Sequence, residues 1–506
     1  MDDSLKERMK AEARFFRAFA YLNLTQYFGK IAIITEELPY DAPNVPRNSL
    51  EEVRSFILDE LAQVAEILPE SYDGSFLYES GRVTKYAALA LRARAALYFG
   101  NYAEAEKSAK AVIDSGKYSL FKIGTLNAAQ EQEAEEMDLF IDFEEKGIDK
   151  DAFIKGMFSY EALWLGENAS PANPEYVLTH EYMEDPYAYD EYRYTYFIPQ
   201  QLSILYGFAS FEPMQDLVDA YWNVDGRTIP DKISVESRKE NYSKIWNYAK
   251  DLNAVDYKAF ATSPDLMKYD YMKEFKNRDS RLYATILFPF KGWHESSVGE
   301  HYYKWNPDVI NKDGGESWTG FSYRKMVSLN PYKNGYYGSS DDYPTIRYAE
   351  VLLNYAEAMY ELGLFDQSIA DKTINKLRKR AHVADMVLTD ITTDFDPERD
   401  QDVNPLLWEI RRERRVELMG EGTRLDDLRR WKKGHYVNKQ PTGVYLKDAS
   451  EFNVKVMNGP SNNEGYVYYF EKPLGWLEHY YLNPIPLNQL ALNPALEQNP
   501  GWENNK

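Results

Sequence analysis

The chain has 506 residues, a formal net charge of -22, no cysteine, and 42 tyrosines beside 10 tryptophans. The acidic balance argues against nucleic acid and anionic membrane surfaces as partners, and the missing thiols remove disulfides, thiolate catalysis and cysteine-ligated zinc. No run approaches the roughly 18 apolar residues of a membrane span, and the length admits several ordinary domains or one large composite.

Residues 1–120 read as a helical scaffold. In AEARFFRAFAYLNLTQYFG, Phe15, Ala18, Phe19 and Leu22 fall at helical spacing and Gly29 closes the segment. Ser49 can cap a second helix with Glu52 three places on, and Pro69 ends it. Two more helices follow, broken at Gly100. The six alanines between Ala87 and Ala96 would let a neighbour approach closely, and Tyr102, Ala105, Ala109 and Val112 form a stripe.

Residues 121–344 have another texture: acidic stretches such as EQEAEEMDLFIDFEEKGIDKD, short aromatic runs, and a DG turn in WNVDGRTIPD. They read as a loop-rich excursion, the kind of segment in which binding tends to reside. The acidic run lacks the alternating Asp/Asn-Gly pattern of a calcium loop, so it reads as a solvated loop.

Residues 345–435 return to helix. Tyr348, Val351, Leu352, Tyr355 and Met359 make one face, and Gly363 and Phe365 stand where Gly100 and Tyr102 did. An apolar helix, a glycine turn and an aromatic two residues later make the tetratricopeptide pattern, whose pairs stack to bury faces neither could bury alone. Next comes EIRRERRVELMGEGTRLDDLRRW, with seven arginines against Glu409, Glu413, Glu417, Glu421, Asp426 and Asp427. Near-neutral, with glutamates every fourth residue on one helical stripe, it predicts an internal ion-pair network. Glu413, Arg414 and Glu417 should meet Arg347, Glu350 and Glu357. Residues 436–506 read as an irregular tail whose prolines exclude a continuous helix.

No nucleotide-binding, zinc-protease or serine-hydrolase motif is present, and the six histidines show no metal spacing. The residues alone predict a helical repeat scaffold with a binding excursion and no catalysis, cofactor or metal. A scaffold binding peptides or proteins, and a glycosidase with an unrecognised carboxylate pair, are the competing readings.

AEARFFRAFAYLNLTQYFGKIAIITEELP, GRVTKYAALALRARAALYFGNYAEAEKSAKAVIDSGKYSL, YPTIRYAEVLLNYAEAMYELG, EIRRERRVELMGEGTRLDDLRRW and LNPIPLNQLALNPALEQNPGW resemble, in order, the motifs of the SusD/RagB family. The resemblance spans nearly the whole chain and implies a mainly α, SusD-like fold of tetratricopeptide-like helix pairs against a ligand-facing excursion. It implies a non-catalytic, surface-exposed lipoprotein of the Bacteroidetes outer membrane that captures oligosaccharides or polysaccharides for a SusC-like TonB-dependent transporter. Relatives carry a signal peptide, a lipidated cysteine and a leading segment before the first motif, so the resemblance implies an N-terminal truncation here. A monomer docking by its helical face on the transporter follows.

For a sugar ligand, exposed aromatic faces beside polar groups are required, because a pyranose offers C–H faces and a rim of hydroxyls. The candidates in the excursion are Trp293, Trp305 and Trp318, then Tyr206 and Phe208, with Asn306 and Asp308 as hydroxyl partners.

Overall fold

The structure is a computed structural model. It describes residues 2–40, 44–72, 81–182, 194–195, 212–230, 244–245, 247–249, 251–295, 299–304, 319–327, 338–339, 341–444 and 475–503. The architecture is mainly helical, and the strands among the described residues form only two-stranded antiparallel pairs.

The scaffold starts with α1 (Asp3–Phe28), α2 (Leu50–Ile67), α3 (Lys85–Phe99) and α4 (Tyr102–Asp114), each packed on the next. Phe15, Ala18 and Leu22 of α1 are buried, as the spacing predicts. At α2 the Glu52 amide donates to the Ser49 hydroxyl at 3.2 Å, and the Ser49 amide donates to the Glu52 carboxylate at 2.8 Å. That reciprocal cap satisfies donors the first turn cannot. Gly100 ends α3 at φ 75°, left-handed backbone that disfavours a side chain. Its counterpart Gly363 has φ 71° and follows the helix Tyr348–Glu361, which packs on α4 and α3 and carries the helix Pro405–Glu417 on another side. All five residues of the predicted stripe on Tyr348–Glu361 are buried. These helices share one apolar core.

A second core lies in the middle region, built around Phe140, Phe153, Tyr283, Phe288 and Phe321. This corrects the expectation that the acidic run is a loop, although most of its carboxylates are exposed. Residues of the acidic run form α5 (Ala128–Glu136), opened by Asn127 and Gln130 in a second capping box. Glu133 points inward, fully buried, and is met by Lys291 at 2.6 Å and by both terminal nitrogens of Arg324.

The arginine-rich stretch is two helices, not one: Pro405–Glu417 and Arg424–Arg430, with Gly420 and Gly422 turning between them. Glu421 therefore lies past the end of the helical stripe. The network is internal, with partners that partly differ from expectation. Arg347 reaches Glu417 at 2.7 Å, as predicted, and also Glu175 and Glu421. Glu413 pairs instead with Arg281 and Arg378, and Arg414 with Asp427 and the Asn354 side chain. Glu350 is held by Arg94 and Glu357 by Arg430. Arg94 and Arg281 come from parts of the chain distant in sequence, and Arg378 from the helix Ile374–Arg380.

Candidate ligand-binding site

Of the seven candidate residues, only Trp293 lies among the described residues, and it is not exposed. It sits on the strand Gly292–Glu295 at 2% exposure, inside the middle core. The Arg324 guanidinium lies 5.4 Å from its ring centre. Trp293 is thus corrected from a ligand platform to a core residue: its strand pairs with Gly299–Tyr302, and the pleat turns the indole inward. Trp164 and Trp222 are buried likewise, the first beneath Lys325 and Arg347, the second beneath Arg412. Each described tryptophan of the middle region therefore has its face occupied by a cation. Trp305, Trp318, Tyr206, Phe208, Asn306 and Asp308 lie outside the described residues.

The described residues do define where the segments carrying those candidates are mounted. Glu212 follows the segment 196–211, which carries Tyr206 and Phe208. Thr319 follows the segment 305–318, which carries both remaining tryptophans. The Thr319 amide donates to the Glu212 carboxylate at 2.7 Å. On the other side, the Val444 amide donates to the Thr319 carbonyl at 2.7 Å, and Val444 precedes the segment 445–474. Three segments distant in sequence thus have an end at one point. Gly443 permits the approach: a Cβ there would come within 2.2 Å of the Thr319 carbonyl oxygen. The Gln215 amide donates to the Thr442 carbonyl at 2.9 Å and closes the same junction. A further link is the pairing of Tyr194 with Ser339, beside the segments 183–193 and 328–337.

The segment 445–474, within the stretch read as an irregular tail, lies outside the described residues; it carries the run GYVYYF at Gly465–Phe470.

The other end of the segment 305–318 is held as well. Lys304 donates to the Leu252 carbonyl at 3.0 Å and lies 5.2 Å from the Tyr257 ring centre. Before it, the hairpin is clamped to α5: His294 Nε2 lies 2.9 Å from the Glu136 carboxylate, and the Tyr302 hydroxyl donates to the same group. Burial, with His294 adjacent, lowers the His301 pKa to about 4, so His301 is neutral near pH 7. Among the described residues no group of three or more His, Asp or Glu side chains is gathered to hold a metal ion.

The family model described as "SusD family" matches residues 174–502, more than half of the chain, and one described as "Starch-binding associating with outer membrane" matches residues 1–97. No curated protein matches the chain. Among solved structures, a SusD-like protein from Bacteroides fragilis is 25% identical with a TM-score of 0.69, the match covering 99% of this chain and 81% of that one. A SusD-like carbohydrate binding protein from the same organism is 24% identical with a TM-score of 0.67, covering 98% of this chain and 81% of that one. Surface glycan-binding protein A from Bacteroides uniformis is 18% identical with a TM-score of 0.50, covering 99% of this chain and 79% of that one.

Proposed function

The chain belongs to the SusD family, and we propose that it is a non-catalytic, surface-exposed glycan-binding protein of the outer membrane that captures oligosaccharides and hands them to a SusC-like TonB-dependent transporter. The family model whose description reads "starch-binding associating with outer membrane" supports the ligand class and the location. So does the description of the Bacteroides fragilis relative as a carbohydrate binding protein.

The observation that carries the reading is the junction of Glu212, Thr319 and Val444. A glycan site needs several aromatic and polar side chains on one surface, and segments whose flanking residues are bonded together at one junction are suited to supply them. Trp305 and Trp318 are proposed as stacking faces, Tyr206 and Phe208 as secondary ones, and Asn306 and Asp308 as hydroxyl partners. The helical repeats would serve as the docking face for the transporter.

Native affinity electrophoresis against a panel of neutral polysaccharides tests the proposal. Retardation by at least one glycan, with no reducing sugar released, is the expected result. Retention only by peptides would favour a peptide-binding repeat scaffold, and reducing-sugar release would indicate a hydrolase.

A further inference from the structure

Away from the loop mount, the scaffold holds a cleft of about 480 Å³ where the ends of α1, α2 and α3 meet the helix Arg424–Arg430. This lies within the roughly 300–1,000 Å³ typical of small-molecule sites. In a chain of net charge -22 its lining is inverted: Arg54, Arg411, Arg429, Arg430 and Lys432 against the single carboxylate of Asp426.

Most arginines of the core are spent on carboxylates, as Arg281, Arg324, Arg347 and Arg430 are. Two on this cleft are not. Arg54 makes no hydrogen bond or ion pair among the described residues; its guanidinium lies 5.1 Å from the Phe99 ring centre. Burial lowers its pKa, with no neighbouring anion to offset the loss of hydration. Arg429 donates once, to the Asn483 side chain at 3.1 Å, and lies 5.4 Å from the Tyr27 ring centre. Arg411 sits 4.4 Å from the Trp431 ring centre, with its nearest carboxylate oxygens only at 4.0 Å.

A guanidinium held over a ring by its flat face keeps its in-plane N–H groups for other partners. Four such buried groups on the cleft's lining residues have no acceptor, Arg54 Nε, Arg411 Nε, and Arg429 Nε and Nη1, and the neutral Gln26 Nε2 is a fifth unbonded donor. All five are donors. Leaving charged donors buried and unbonded costs free energy, which an acceptor-only group would recover.

We propose that this cleft binds a tetrahedral oxyanion, phosphate or sulfate, through the guanidinium edges of Arg54 and Arg429. The cleft shares no lining residue with the junction of Glu212, Thr319 and Val444. The net negative chain repels anions at long range, so binding depends on this local donor set and not on general attraction.

Isothermal titration of the full chain with sodium phosphate and sodium sulfate, against sodium chloride of equal ionic strength, tests it. Saturable heat with phosphate or sulfate and none with chloride is expected. Arg54→Gln and Arg429→Gln should each weaken the affinity about tenfold or more, the loss of one charge-assisted hydrogen bond. Their circular dichroism should be unchanged. Arg54→Lys, which keeps the charge and loses the fork, should fall between parent and glutamine variant and serves if that variant fails to fold. A parallel titration with glucose 6-sulfate separates sources: silence there assigns the site to the free ion, binding extends it to sulfate esters. Heat no greater than chloride gives, or glutamine variants that bind like the parent, would overturn the proposal.

Discussion

Glu212 and Thr319 stand 107 residues apart in sequence and are joined by a 2.7 Å hydrogen bond from the Thr319 amide to the Glu212 carboxylate. Thr319 is buried, and Val444 binds its carbonyl from the other side. The contact joins residues that flank the segments proposed to carry the glycan contacts.

Glu212→Ala should therefore weaken glycan binding more than it weakens the fold. Losing the acceptor of this amide costs about 1–3 kcal/mol, and the loss falls on the geometry of the mount. The measure is a glycan titration beside a thermal melt. An unchanged affinity with a lowered melting point would make the bond structural only.

Trp293→Ala should do the reverse. Its indole fills the middle core beneath Arg324, and removing a buried tryptophan costs about 3–5 kcal/mol. Urea unfolding should show that loss, with glycan affinity retained wherever the variant is folded.

Arg347→Met tests the buried network. Arg347 serves Glu175, Glu417 and Glu421 at once, and removing one partner strands buried carboxylates at a cost of about 3–5 kcal/mol. The double variant Arg347→Met with Glu417→Gln should recover part of it, because fewer charges remain unpaired. Equal or greater loss in the double variant would contradict the pairing.

Acid should unfold the protein over a defined window. Burial alone would raise the pKa of Glu133, Glu357 and Glu413, but the neighbouring guanidinium groups, joined at Glu133 by Lys291, outweigh it and hold each at about 2. A carboxylate with a depressed folded pKa contributes stability that is present above its unfolded value, near 4.5, and lost as the pH falls toward 2. His301, lowered to about 4 by burial, adds a loss that begins below about 6.5, where the unfolded chain takes up a proton and the native one does not. Urea midpoints should fall steadily from pH 7 to pH 3, with the steepest part below pH 4.5. A flat profile across that range would contradict the buried network.

The helical scaffold was legible because its signals are local. The Ser49–Glu52 cap, the Gly100 and Gly363 turns and the stripe on Tyr348–Glu361 each depend on neighbours within a few residues, and each stands as read. The partners of Glu413 were not legible. Arg281 and Arg378 approach from separate elements, and nothing in the spacing around Glu413 points to them. Two errors share one cause. Trp293 in a short strand and Glu133 in α5 look like loop residues in sequence: the ion pairs that let Glu133 be buried come from Arg324 and Lys291, more than 150 residues beyond it, and the same Arg324 covers the Trp293 ring. The junction of Glu212, Thr319 and Val444 is likewise long-range, and no local signal in the sequence points to it.

Binding of a glycan on the faces of Trp305 and Trp318 is the step on which the proposed function stands. Its most direct test is calorimetric titration of the glycan that retards the parent protein in affinity gels into the parent, Trp305→Ala and Trp318→Ala. The account predicts that each variant keeps the parent's circular dichroism and melting point and loses about 1–3 kcal/mol of binding, the magnitude of an aromatic stacking contact. Parent-like affinity in both folded variants would contradict it.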